Sequence, residues 1–84
     1  MNKTIYKDME INDFIKNFAE QFDETEPNVF TAETAFRELE EWDSFLALAV
    51  MAMIKSEYDI NLTAEEMRNA NTVQDLFNSV KSHL

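Results

Sequence analysis

Ile11, Phe14, Ile15, Phe18 and Phe22 stand at i, i+3, i+4, i+7 and i+11, the interval that lines one face of an α-helix. That spacing predicts a first helix from about Met9 to Phe22 with its apolar stripe in the core. Asp8 and Asn12 are both placed to cap its start, and residue type does not choose between them. Residues 1–8 read as an N-terminal extension. Asp23 to Asp43 is polar, and Pro27 forbids a continuous helix at its beginning. A connection of about twenty residues needs anchors to stay compact. Val29, Phe30, Phe36 and Leu39 are the residues able to pin it, and the Phe36–Leu39 spacing suits a short helical turn.

Ser44 to about Tyr58 carries the longest apolar run and predicts a second helix. Val50, Met51, Ile54 and Tyr58 form one face. Phe45, Ala49, Ala52 and Met53 make the opposite face apolar or small as well. A helix that is apolar all round is either buried or meets a partner with its outer face. Methionine adapts to varied contact shapes, so Met53 is assigned to the outer, partner-facing side and Met51 to core filling. Thr63-Ala64-Glu65-Glu66 is a capping box that opens a short third helix with Met67 and Ala70 inward. Thr72-Val73-Gln74-Asp75 repeats the pattern. It opens a fourth helix with Val73, Leu76, Phe77 and Val80 as its stripe. The expected fold is therefore all-α, with three longer helices, one short helix and a long first loop.

Composition narrows the chemistry. The chain has 84 residues, no glycine, no cysteine and one proline. Gly-rich phosphate loops, thiolate metal sites and disulfides are excluded. The single histidine, His83, reads as a solvated tail residue, so no metal site or catalytic triad is expected. The apolar run is too short to span a membrane and is closed by Lys55-Ser56-Glu57, and no secretory signal is visible. A soluble, cytoplasmic protein is the expectation. The net charge of −10 disfavours nucleic acid and anionic membranes and favours basic protein partners. Residues 1–43 hold 12 acids and 4 bases, against 5 and 3 in residues 44–84, so most of the excess lies ahead of the second helix.

Glu41-Trp42-Asp43-Ser44-Phe45 concentrates the candidate chemistry. It places a serine hydroxyl at the first turn of a helix, where free N–H groups and the positive end of the dipole favour a phosphate. Asp43 and Ser44 are also good N-caps, and a cap alone would account for either.

The combination resembles the acyl carrier protein family. Trp42-Asp43-Ser44-Phe45 is similar to that family's Asp-Ser-Leu attachment motif. Ser56-Glu57-Tyr58-Asp59-Ile60 resembles the pattern closing its second helix, and Asn71-Thr72-Val73-Gln74-Asp75-Leu76 the one opening its last. Ala35-Phe36-Arg37-Glu38-Leu39 resembles the Phe-containing segment ahead of the motif. The resemblance covers residues 9–84 as a carrier domain and implies a four-helix bundle of the acyl-carrier type.

It further implies that a phosphopantetheinyl transferase attaches 4′-phosphopantetheine to Ser44, whose terminal thiol carries acyl groups as thioesters for fatty acid or specialised lipid and polyketide synthesis. Asp43 would help dock the transferase and its metal. Phe45 would be an exposed anchor for partner enzymes, and Glu40 and Glu41 would thicken the acidic approach. Ala49, Met53 and Glu57 complete the implied docking surface. No catalytic residue is implied, and a monomer is expected. A peptidyl or aminoacyl carrier of the same fold, and an acidic helical adaptor without a prosthetic group, are the alternatives. Fatty acid carriers usually bear acids along the second helix. Here the matching positions read Leu46, Ala49, Lys55 and Ser56, with Glu57 the one acid kept. Docking by burial more than by charge is the expectation. The resemblance also implies a space between the helices for an acyl chain.

Overall fold

A computed structural model describes residues 10–84. The proposed extension of residues 1–8, the Asp8 cap and Met9 lie outside the described residues. Four helices follow in order: α1 (Ile11–Ala19), α2 (Ser44–Tyr58), α3 (Ala64–Asn69) and α4 (Val73–Lys81). Two 3₁₀ turns, Pro27–Val29 and Phe36–Glu38, sit in the first loop. No strand occurs among the described residues. The all-α, four-helix expectation holds.

The expected first helix is shortened at both ends. Glu10 takes the N-cap position with extended backbone and no side-chain cap bond, while Asn12 lies inside the first turn. The regular helix stops at Ala19. The chain tightens into i→i+3 bonds instead, with the Phe22 N–H donating to the Ala19 carbonyl at 3.1 Å. That tightening still delivers Phe22 to the core, where it is buried with Phe14 and Phe18.

Phe18 is the centre of an aromatic cluster. Its ring lies 5.4 Å from Phe22 and Phe36, 5.8 Å from Phe30 and 6.4 Å from Trp42. These separations fall in the favourable range for offset or tilted ring pairs. The long loop is thereby folded onto α1: Phe30 and Phe36 are buried and Leu39 packs against the core. Val29, expected to pin the loop, is instead exposed. It closes the 3₁₀ turn after Pro27, which turns its neighbour Phe30 inward.

The loop is also fastened by hydrogen bonds. The carboxylate of Glu41 accepts from the backbone N–H groups of Asp23, Glu24 and Thr25 at 2.8, 3.1 and 3.0 Å, and from the Thr25 hydroxyl at 2.9 Å. The carbonyls of Thr34 and Ala32 accept from Val73 and Gln74 in the first turn of α4. Those donors have no partner inside their own helix, so the loop satisfies them.

Both capping boxes form. Thr63 and Glu66 exchange side-chain and backbone bonds at the start of α3, and Thr72 and Asp75 do so at α4. Met67, Ala70, Val73, Leu76, Phe77 and Val80 are buried as their spacing predicts. With no glycine available, Asp59 ends α2 in the left-handed conformation at φ 58°, its N–H bonded to the Lys55 carbonyl.

Candidate functional site

The start of α2 is built by one cap. Asp43 is extended, and its carboxylate accepts the Leu46 N–H at 2.9 Å. This settles which residue caps: Asp43 is the N-cap and Ser44 is the first helical residue. Ser44 is exposed, and its hydroxyl makes no hydrogen bond among the described residues. An N1 side chain points away from the helix axis, so the hydroxyl is free to be used from outside.

Phe45 follows with 76% of its surface exposed, and Leu48, one turn on, with 66%. The two are an apolar pair that none of the described residues covers. Leu48 was not singled out by periodicity, because α2 is apolar around most of its circumference and a uniform pattern does not reveal its facing. The same ambiguity explains two corrections. Met53, assigned to the partner-facing side, is 7% exposed and belongs to the core with Leu46, Val50 and Ile54. Leu46, placed among the docking positions, is buried with it. Spacing of i, i+4, i+7 and i+8 puts these four on one face, the face buried in the core. Met51 is half-buried against the core.

The acids divide by role. Glu40, Asp43 and Glu57 are exposed. Glu41 is turned into the loop. Partial desolvation would raise its carboxyl, but the bonds from Asp23, Thr25 and Glu24 outweigh that and hold it below the usual carboxylate range. It braces the segment leading to Asp43 more than it faces an approaching partner.

A groove of roughly 340 Å³ opens beside Ser44. Ala47, Leu48 and Met51 of α2 form one wall, and Ala64, Met67 and Arg68 of α3 the other. A larger groove, about 460 Å³, runs between α1 and the loop past Ile15, Ala19, Phe22 and Pro27. It contains none of the predicted site residues, so size does not locate the site.

His83 is exposed as expected, but it is not without a partner. Its Nε2 lies 2.9 Å from Glu66 Oε2, which ties the end of the chain to the start of α3. The Thr63 backbone N–H, followed by the His83 contact, holds the Glu66 carboxyl below its ordinary range. Sequence reasoning missed this pair, because the partners are seventeen positions apart and only the packing of α4 on α3 joins them. Arg37 was likewise missed. Its Nε donates to the Ala70 carbonyl at 2.9 Å and its Nη2 to the Met67 carbonyl, closing the C-terminal end of α3. No group of three or more His, Cys, Asp or Glu side chains able to hold a metal occurs among the described residues.

The described residues thus form an all-α bundle with an exposed serine at the start of its longest helix, beside an apolar surface and a groove. The family model described as the phosphopantetheine attachment site matches residues 13–80, and the chain belongs to that family. Its members carry covalently attached 4′-phosphopantetheine and work with a phosphopantetheinyl transferase and the enzymes of their pathway. No curated protein and no solved structure matches the chain. No helix among the described residues is long and apolar enough to cross a membrane.

Proposed function

We propose that this chain is an acyl carrier protein, that its carrier domain spans residues 9–84, and that Ser44 Oγ is the atom to which 4′-phosphopantetheine is joined. The observation that carries this reading is the unpartnered, exposed hydroxyl at the first position of α2, left free because Asp43 does the capping. The surroundings fit the group. The N–H groups of the first turn and the helix dipole favour its phosphate. The apolar walls of the adjacent groove suit the alkyl portions of its arm. When attached, the group supplies a terminal thiol that holds acyl cargo as a thioester.

The residues of the chain bind and present; they do no chemistry on the cargo. Its one histidine is engaged by Glu66 on α3, so Ser44 is not a hydrolytic nucleophile. Phe45, Leu48 and the half-exposed Ala49 offer partner enzymes an apolar contact, with Glu40, Asp43 and Glu57 as its acidic margin. The apolar outer face of α2 favours a carrier dedicated to a specialised lipid or polyketide route.

The test is mass spectrometry of the intact protein after incubation with coenzyme A and a broad-specificity transferase. The wild type gains one phosphopantetheine and Ser44→Ala gains none. Modification of the alanine variant, or none of the wild type, overturns the assignment.

A further inference from the structure

Of the five Lys and Arg side chains among the described residues, three are engaged. Lys55 pairs with Asp59 at 2.9 Å, Lys81 stands 5.6 Å over the Phe77 ring, and Arg37 is bound to the α3 carbonyls. Arg68 differs. It is exposed, has no hydrogen bond or ion pair among the described residues, and lines the same groove as Ser44.

A chain of contacts places it near that serine. Arg37 holds the carbonyls of Met67 and Ala70, which flank Arg68 at the C-terminal end of α3. The adjacent Phe36 ring packs edge-on to Trp42 at 4.8 Å. Trp42 lies two residues before Ser44. The C-terminal end of α3 therefore sits beside the N-terminal end of α2. A basic residue in the last turn of a helix also favours its dipole. That contribution does not require the side chain to border a groove shared with α2.

A phosphodiester on Ser44 is an anion, and its neighbourhood is otherwise acidic through Asp43 and Glu40. Guanidinium is the side chain best matched to phosphate, with planar paired donors and weak hydration. We infer that Arg68 is a binding residue for the prosthetic group: it pairs with the phosphodiester on Ser44 and lays the arm along the Ala47, Leu48, Met51 and Met67 walls. The inference rests on the Ser44 assignment. It implies that the arm is held in the groove by one exposed charge pair, ready to be released to a partner enzyme.

The test compares apo and phosphopantetheine-loaded protein by ¹⁵N and ³¹P NMR, for wild type, Arg68→Gln and Arg68→Lys. Loading is verified first by intact mass. In the wild type, amides of Ala47, Leu48, Met51 and Met67 shift on loading. In Arg68→Gln the docked-to-free ratio of the arm falls roughly twofold to fivefold, the range an exposed ion pair supports. The ³¹P resonance moves toward that of a free phosphodiester, and Arg68→Lys recovers part of both effects. Matching apo spectra show that the fold is kept. In unaltered loaded protein, about 1 M salt reproduces the loss, since screening at that strength reaches about 3 Å. Groove shifts as large in Arg68→Gln as in wild type, or salt-insensitive in wild type, overturn the inference while leaving the Ser44 assignment standing. Failure of the wild type to load overturns both.

Discussion

Glu41 and Thr25 are joined through one carboxylate oxygen, which accepts both the backbone N–H and the hydroxyl of Thr25 at 3.0 and 2.9 Å. The bond spans sixteen positions and ties the start of the long loop to the residue three before Ser44. It makes the loop a brace for the segment that enters α2.

Replacing Glu41 with Gln should lower thermal stability and make that loss depend on pH. The folded Glu41 carboxyl is held below its unfolded value, so its contribution is fully present above about pH 4.5 and fades as pH falls through the depressed folded value. Melting curves of wild type and variant should differ most near neutrality and converge in acid. A gap that widens on acidification contradicts the role given to this carboxylate.

Arg37→Gln should free the C-terminal carbonyls of α3. A helix of six residues has little stability of its own, so the effect should be local. Hydrogen exchange at the Met67 and Arg68 amides should accelerate several-fold, while protection in α1 and α4 stays near the wild-type level. Uniform acceleration through the molecule would show that the guanidinium supports the whole bundle instead.

Phe45 and Met53 provide a matched contrast on α2. Phe45→Ala removes a side chain that touches solvent, so stability should change by no more than about 0.5 kcal/mol. The rate of transferase modification should drop all the same. Met53→Ala opens a cavity in the core and should cost about 2–5 kcal/mol by urea denaturation. A destabilised Phe45→Ala with normal modification kinetics would reverse the two assignments.

Partner docking through the Phe45 and Leu48 surface should depend weakly on ionic strength. Raising salt from about 0.05 to 0.5 M should weaken binding of a partner enzyme of its pathway only modestly, because screening acts on the acidic margin and leaves the apolar contact. A steep loss measured by surface plasmon resonance would mean that the acids, not the apolar pair, hold the complex.

The helices themselves were legible because each carries a local signal. The 3–4 spacing from Ile11 to Phe22, the two Thr capping boxes and the Asp43-Ser44 entry are encoded within a turn or two of chain. Ser44, Asp43 and Phe45 could be picked out for the same reason. The facing of α2 could not, since an apolar residue on every side leaves no moment to orient it; Met53 therefore reads as outward although it is buried, and the exposed Leu48 goes unmarked. The Glu41, Arg37 and His83 contacts were invisible in principle. Each joins residues sixteen or more positions apart, through atoms whose proximity only the folded loop and the docked helix ends create.

Trp42 stacks on Phe18 and meets Phe36 edge-on, and it is the chain's single tryptophan. An indole so held, two positions upstream of Ser44, is a built-in fluorophore for the site. Loading of the serine, seating of cargo or engagement of an enzyme should each alter its emission without any label. The carrier cycle can then be followed in real time on the unmodified polypeptide.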